Sequence, residues 1–436
     1  MTAVARVPGP GLLSTPSVTV ASMRRPHLAA QDLFRRYGPV VRLGRGGASV
    51  FMLFGPAANE LILSERPDSF TWHEAMAILE PVDGPTALVL TDGEDHRRRR
   101  RIVQPAFATR RIDAAVPVAV EEMDAAVDGL ATGSEVDLHA LFQRTMRRIV
   151  VRVLFGDSLA DRADALGAAL EPAMGYIDRI PQLQFRGAPG SGRARRARRA
   201  ADALVDVEIG RRRESGDPGG DVLGMLLATD LSDAELRDQV VSLIAAGYDT
   251  TSAAAAWTLL ALLRTPGEWH RVRGDVEQRL GPDGRTPDAD DLRAMPYVGA
   301  AVNEALRLWP PGSLSGRRST EAFTFAGFDL PAGSNILFSP YVTQRMPDVW
   351  GEDAGAYRPD RWLTGDPPPF AFIPFGGPYR RCLGFALALT ELQVAVVRLV
   401  QRTSLRLADP DRVVLGRGIS ALVPEGGVPV VVDALR

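Results

Sequence analysis

The sequence contains no lysine; all 51 basic residues are arginine. Against 53 acidic residues they leave a formal net charge of -2, so no global charge draws the chain to nucleic acid or an anionic membrane. With 42 glycines, 33 prolines and abundant alanine, this usage points to a GC-rich bacterial genome rather than to function. The single cysteine, Cys382, excludes an intrachain disulfide, so nothing here depends on an oxidising compartment. No stretch offers the roughly 20 apolar residues needed to span a bilayer. The N-terminus lacks the charged-then-apolar order of a secretory signal. These absences predict a cytoplasmic protein with no membrane or nucleic-acid partner, monomeric by default. Hydrophobic residues make up 45% and charged residues 24%, enough to bury a large core and still enclose a cavity.

The pattern along the chain is mainly helical with a minor β portion. An extended segment is expected over 1–30 and a single domain over 31–436. A short helix is expected over Gln31 to Tyr37, then two short strands about Gly44 to Gly47. From Gly93 to about Gly187 apolar residues recur three and four apart. A very basic helix follows Gly190. "SDAE" at Ser232 gives a capping box, and no proline follows until Pro266. That allows about 32 residues, or about 48 Å, of helix. It is apolar on most faces and should run through the middle of the protein. Further helices are expected over Tyr297 to Leu308 and Phe385 to Gln401. Strand-like pieces and an irregular stretch from Met346 to Pro374 lie between them.

"PFGGPYRRCLG", Pro374 to Gly384, sets the one cysteine after a glycine-rich turn and a pair of arginines. Arg380, Arg381 and the start of the next helix favour the thiolate, the form that binds metals and attacks electrophiles. Several uses stay open on these residues alone. A nucleophile needs a base, and His27, His73, His96, His139 and His270 all lie far off in sequence. A zinc site needs four Cys/His-type ligands. An axial ligand to heme iron needs only one thiolate. A buried structural cysteine stands equally beside that use.

The stretch resembles the cysteine-ligand loop of the cytochrome P-450 family, F-x-x-G-x-R-x-C-x-G, with Phe375, Arg380, Cys382 and Gly384 on the pattern. Pro378 replaces the pattern's glycine. Proline cannot take positive φ, so either the position needs none or Gly376 and Gly377 absorb the turn. Four further stretches resemble the family in order and spacing. "EALR" sets Glu304 and Arg307 three apart on one helix face, otherwise an ordinary ion pair. With Arg361 of "YRPDRW" they would form the family's buried structural triad. In "HRRRRRIVQPAF", His96 and Arg100 match an H-x-x-x-R pattern facing the heme propionates, and Arg380 would join them. Arg317 of "GRRST" aligns with a further propionate-binding arginine, with Arg318 as its substitute. The long helix holds "AAGYDTT", where the resemblance implies that Gly247 gives close approach on the oxygen side of the heme. Thr250 and Asp249 would form the catalytic, proton-delivering pair there. Without the resemblance, a threonine bonded back to the preceding turn explains this stretch.

The resemblance covers the chain from about Gln31 onward and implies a cytochrome P-450 fold with heme b (iron protoporphyrin IX) between the long helix and the cysteine loop. Cys382 would be the axial iron ligand of a soluble bacterial monooxygenase. It further implies ferredoxin and ferredoxin reductase as electron donors and an apolar small-molecule substrate. Secondary metabolism, such as antibiotic biosynthesis, is the expected setting. By position, substrate walls should come from Phe70 to Leu90, from Met174 to Phe185, from the Ala245 face and from "PPGSLSG". Trp72, Met76, Ile78, Leu79, Ala246 and Leu314 are the candidates. Competing readings are a peroxide-using or rearranging heme enzyme, a heme carrier or sensor, and a helical scaffold with an inert cysteine.

Overall fold

The computed structural model describes residues 7–11, 25–46, 49–178, 188–281 and 284–436. The expected architecture, mainly helical with a minor β portion, is the one the chain adopts. Helix α1 (Pro26–Tyr37) leads into strands β1 (Val40–Leu43) and β2 (Val50–Leu53). It begins before the expected Gln31 and spans the 30/31 boundary. Further upstream, Arg42 N donates to Pro8 O at 2.8 Å, so residues near Pro8 lie along β1.

One sheet has the order β1-β2-β6-β5-β3, with β3 (Phe70–Thr71), β5 (Ser315–Ser319) and β6 (Asn335–Phe338). Only β2 and β6 pair in parallel within it, Val50 opposite Asn335. A second sheet joins β4 (Glu135–Asp137), β8 (Pro429–Leu435) and β7 (Thr403–Leu407) in that order.

The longer helices after α1 are α2 (Gly93–Val103), α3 (Thr109–Asp128), α4 (Leu138–Phe155), α5 (Ala163–Ile177) and α6 (Ser191–Ser215). They continue as α7 (Asp233–Arg264), α8 (Glu268–Leu280), α9 (Pro296–Leu308) and α10 (Phe385–Arg402). Helix α8 has no counterpart among the expected elements, although its buried Trp269, Val272, Val276 and Leu280 recur three or four apart.

Helix α7 starts as its sequence dictates. Glu235 N donates to Ser232 Oγ at 3.4 Å, and Ser232 N donates to Glu235 Oε2 at 2.9 Å. Its middle is buried all round because α4, α9 and α10 pack against it. Gly247 permits the α4 contact: a Cβ there would lie 2.9 Å from Val150 Cγ1. Trp257 stacks flat on Trp309 at 5.0 Å and donates its indole N–H to Leu422 O.

The chain between α9 and the cysteine loop is irregular, and one carboxylate organises it. Glu304, wholly buried, accepts from Arg307 Nε and Nη2, Arg361 Nε, Arg358 N and Trp362 Nε1, all at 2.8–3.0 Å. Arg307 spends its remaining donors on the carbonyls of Gln344, Ala354 and Ala356. Gln344 then accepts from Ile373 N at 2.9 Å, just before the loop.

Two outcomes follow from this packing. Glu304→Ala leaves the buried Arg307 guanidinium with no carboxylate and Arg361 with only Asp353, and should cost about 3–5 kcal/mol, read as a lower denaturation midpoint. Gly247→Ala should cost about 1–3 kcal/mol by overpacking Val150. Adding Val150→Ala should recover part of that loss; strict additivity of the two would show that no clash existed.

Candidate active site

The cysteine loop turns on Gly376, at φ 76°, and Gly377, whose Cβ would collide with Leu63. Pro378 then opens a 3-10 turn, Pro378–Arg380, where a fixed negative φ suits the backbone and its missing N–H costs nothing. The proline is accommodated because Gly376 takes the positive φ and Gly377, extended, passes close to Leu63. Cys382 N donates to Phe375 O at 2.9 Å, and Phe375 packs edge-on against Phe385 at 6.3 Å. Arg100 Nη1 reaches from α2 to Arg381 O at 3.0 Å. The thiol thus hangs from a backbone fixed on both sides.

Cys382 is exposed into a cavity of about 210 Å³ that opens in part to solvent. Burial pushes the thiol pKa up, against a hydrogen bond from the Gly384 backbone and the charges of Arg100 and Arg381. The free thiol is therefore a poor nucleophile, and a bound metal cation would be what ionises it. The opposite wall is α7, presenting Ala246, Gly247, Thr250 and Thr251. Each threonine bonds back along the helix: Thr250 Oγ1 donates to Ala246 O at 2.8 Å and Thr251 Oγ1 to Gly247 O at 2.7 Å.

At a corner beside this slot, Arg100, Arg317 and Arg380 gather more positive charge than the one nearby carboxylate, Asp92, can match. Arg317 is buried on β5, and its guanidinium carbon sits 3.8 Å from the Trp72 ring centre. Its Nη1 donates to Ser315 Oγ and Gly316 O, and no carboxylate bonds it. Burial and the charge of Arg380 push its pKa well below the usual arginine value. Arg318 instead points outward to Glu74 at 2.7 Å. Arg380 pairs with Asp92, which also accepts from the backbone N–H groups of Trp72 and His73. His96 lines the same cavity despite its distance in sequence. Burial and the charges of Arg380 and Arg100 lower its pKa to about 4, so it is neutral at pH 7. Trp72 Nε1 is a buried donor with no partner. An isolated buried cation is costly. This corner therefore fits a ligand that brings carboxylates, while the slot beside it takes a flat group between Cys382 and α7. Both are what heme offers.

The arginine run of α2 divides by face. Arg97 and Arg101 pair with Glu94, and Arg98 with Asp230, all on the surface. Arg99 is buried and reaches Glu235 at 2.6 Å, tying α2 to the start of α7.

Several expected site residues lie elsewhere. Asp249 does not line the cavity; burial, with the charge of Asp178, pushes its pKa up to about 7. Trp72 lines the cavity, but in the cationic corner, where the arginines draw its ring. Met76, Ile78, Leu79 and Leu314 are not on the wall. Leu79 joins Val82, Ala173 and Ala245 in an apolar roof, and Leu314 packs toward α1 with Ala30 and Leu33. Residues 179–187, part of one expected wall, lie outside the described residues. Sequence reasoning missed Asp92, Ser242 and Glu391. Asp92 was detectable as a helix-capping residue; the other two gain a site only through tertiary packing.

The cytochrome P-450 family profile matches residues 7–422. Cytochrome P-450 139 of Mycobacterium tuberculosis is 39% identical over 414 residues, covering 91% of this chain and 95% of its own. Cyclooctatin synthase of Streptomyces melanosporofaciens is 30% identical, covering 85% and 83%. A cyanobacterial P-450 solved with retinoic acid bound superposes with a TM-score of 0.86 at 25% identity, covering 100% of both chains. A family match of this extent, on a fold and slot of this geometry, makes the chain a member of the cytochrome P-450 family: a monooxygenase whose cofactor is heme.

Proposed function

We propose that Cys382 holds the heme iron, that Arg317, Arg380, Arg100 and His96 hold its carboxylates, and that the substrate is a small apolar molecule. The observation that carries this reading is the buried Arg317, bonded by no carboxylate and stacked on Trp72, which lines the slot that joins Cys382 to Gly247 and Thr250. Phe375 and Gly384 shape the loop around the ligand, and Glu304, Arg307 and Arg361 keep it in place. When bound, the cofactor supplies oxygen activation and the thiolate promotes O–O cleavage. The protein's part is binding, orientation and protons. Thr250 offers a hydroxyl on the far wall from Cys382. Asp249, one residue earlier and turned away from the slot, suits a carrier that brings protons from outside toward that hydroxyl.

The apolar wall residues Leu88, Val89, Leu243 and Ala246 favour hydrocarbon-like substrates, as does a relative named cyclooctat-9-en-7-ol 5-monooxygenase. With that relative and cyclooctatin synthase from Streptomyces, secondary metabolism is the setting we favour. Electrons come from a ferredoxin and its reductase in this reading. The exposed Tyr379 and Arg381 beside Cys382 support docking of an acidic partner on the cysteine side. The cytoplasm is the corresponding location.

The reduced protein under carbon monoxide should show the strongly red-shifted Soret band of thiolate-ligated heme, and Cys382→Ala should lose it. A band typical of histidine ligation in the parent protein would overturn the assignment.

Asp249 gives a pH signature. Its pKa of about 7 when folded lies above the value of about 3.9 for an unfolded aspartate, so the folded state holds the extra proton in between. Stability should therefore fall as pH rises from about 4 to about 7 and level off above. Asp249→Asn should remove that share of the slope and lower turnover by about 100-fold. Unchanged turnover would take Asp249 out of proton delivery.

A further inference from the structure

Leu88 and Val89 stand on the wall of the slot, yet the chain around them has little regular structure of its own. Between Glu80 and Leu90 it makes one helical turn (Glu80–Asp83) and one 3-10 turn (Leu88–Leu90), with no strand between them. Side chains from two helices hold it. Gln239 of α7 is buried; its Oε1 accepts from Leu88 N at 3.0 Å, and its Nε2 donates to Thr86 O at 2.7 Å. Asp238, the residue before it, takes Thr86 N at 3.0 Å and Thr86 Oγ1 at 2.7 Å on one oxygen. Its other oxygen accepts from Arg198 Nη2 of α6 at 2.6 Å. Arg198 Nη1 in turn donates to Val82 O at 2.7 Å. Thr86 and Leu88 thus lean on α7, Val82 leans on α6, and Arg198 joins the two helices through Asp238.

The chemistry of each side chain suits its task. An amide carries both a donor and an acceptor, and Gln239 uses one of each on the loop backbone. A carboxylate only accepts, and Asp238 meets donors alone. A loop held by apolar contact can slide. One whose backbone is bonded to side chains of a long helix cannot, because sliding would leave buried donors and acceptors unmatched. Leu88 therefore cannot withdraw from the slot unless its amide leaves Gln239.

We propose that Asp238, Gln239 and Arg198 are positioning residues that set the size of ligand the slot accepts, by fixing Leu88 and Val89 against it. The proposal rests on the heme reading of this slot and deepens it. The limit on substrate size lies in how the wall is fastened from behind, and not only in the bulk of the residues that face the ligand.

The test uses the heme-loaded enzyme, its Gln239→Leu, Arg198→Gln and Leu88→Ala variants, and two azoles of different size, imidazole and clotrimazole. Binding is titrated by the shift of the Soret band. Gln239→Leu and Arg198→Gln should each bind imidazole as the parent does and clotrimazole several-fold more tightly. Gln239→Leu added to Leu88→Ala should give little further gain, because the wall it fastens is already cut back. An unchanged ratio of clotrimazole to imidazole affinity in both clamp variants, or strictly additive gains in the double variant, would overturn the proposal. Amide hydrogen exchange reads the fastening without reference to the iron. Leu88 N–H should exchange about tenfold faster in Gln239→Leu than in the parent, and equal exchange would also overturn the proposal. A parent that protects this amide but shows no azole-induced shift would sink the heme reading and leave the fastened wall standing.

Discussion

The structure depends on how one carboxylate, Glu304, is satisfied. A buried charge survives only where hydrogen bonds replace water. Glu304 receives five, from two arginine side chains, a tryptophan and a backbone amide. Its partners come from α9 and from the irregular chain up to Trp362, which has little regular structure to hold it. Arg307 and Gln344 extend the network to Ile373. The position of the Cys382 loop is therefore inherited from a charge network rather than from a sheet or helix.

The slot follows the opposite rule. Around Glu304 every strong donor has an acceptor; around Cys382 the groups are left unmatched. Arg317 is bonded by no carboxylate, Trp72 Nε1 has no acceptor, and Glu391 Oε1 has no hydrogen-bond partner. Groups of this kind destabilise a protein that has nothing to set against them, which is why they mark where a ligand or a catalytic proton belongs. The two arrangements are coupled. A satisfied network fixes the frame, and the frame holds unsatisfied groups where relaxation cannot pair them with one another.

Much of the fold was legible because it is written in local patterns. The Ser232–Glu235 box, the apolar run behind it and the stop at Pro266 fix α7 without reference to anything distant. Helix α8 was readable by the same rule, from Trp269 to Leu280, and its polar, glycine-containing surface obscured it. The second sheet was not readable as a unit, because β4 pairs with β8 almost 300 positions away. Among site residues, those in short motifs around Cys382, His96 and Thr250 could be named from the sequence. Leu314 and Met76 could not be placed, because nearness in sequence to a pocket does not fix which side of a strand or helix faces it.

The sequence by itself determined the helices, the cysteine loop and the chemistry this loop can support, since capping, periodicity and turn preferences act over a few residues. Only the tertiary structure decided which charges are paired. It turned Arg317 inward and Arg318 outward, kept Asp249 off the wall of the slot, and set Gln239 against Leu88. Those outcomes depend on burial and on partners from remote segments. Neither is a property of any residue until the chain has packed.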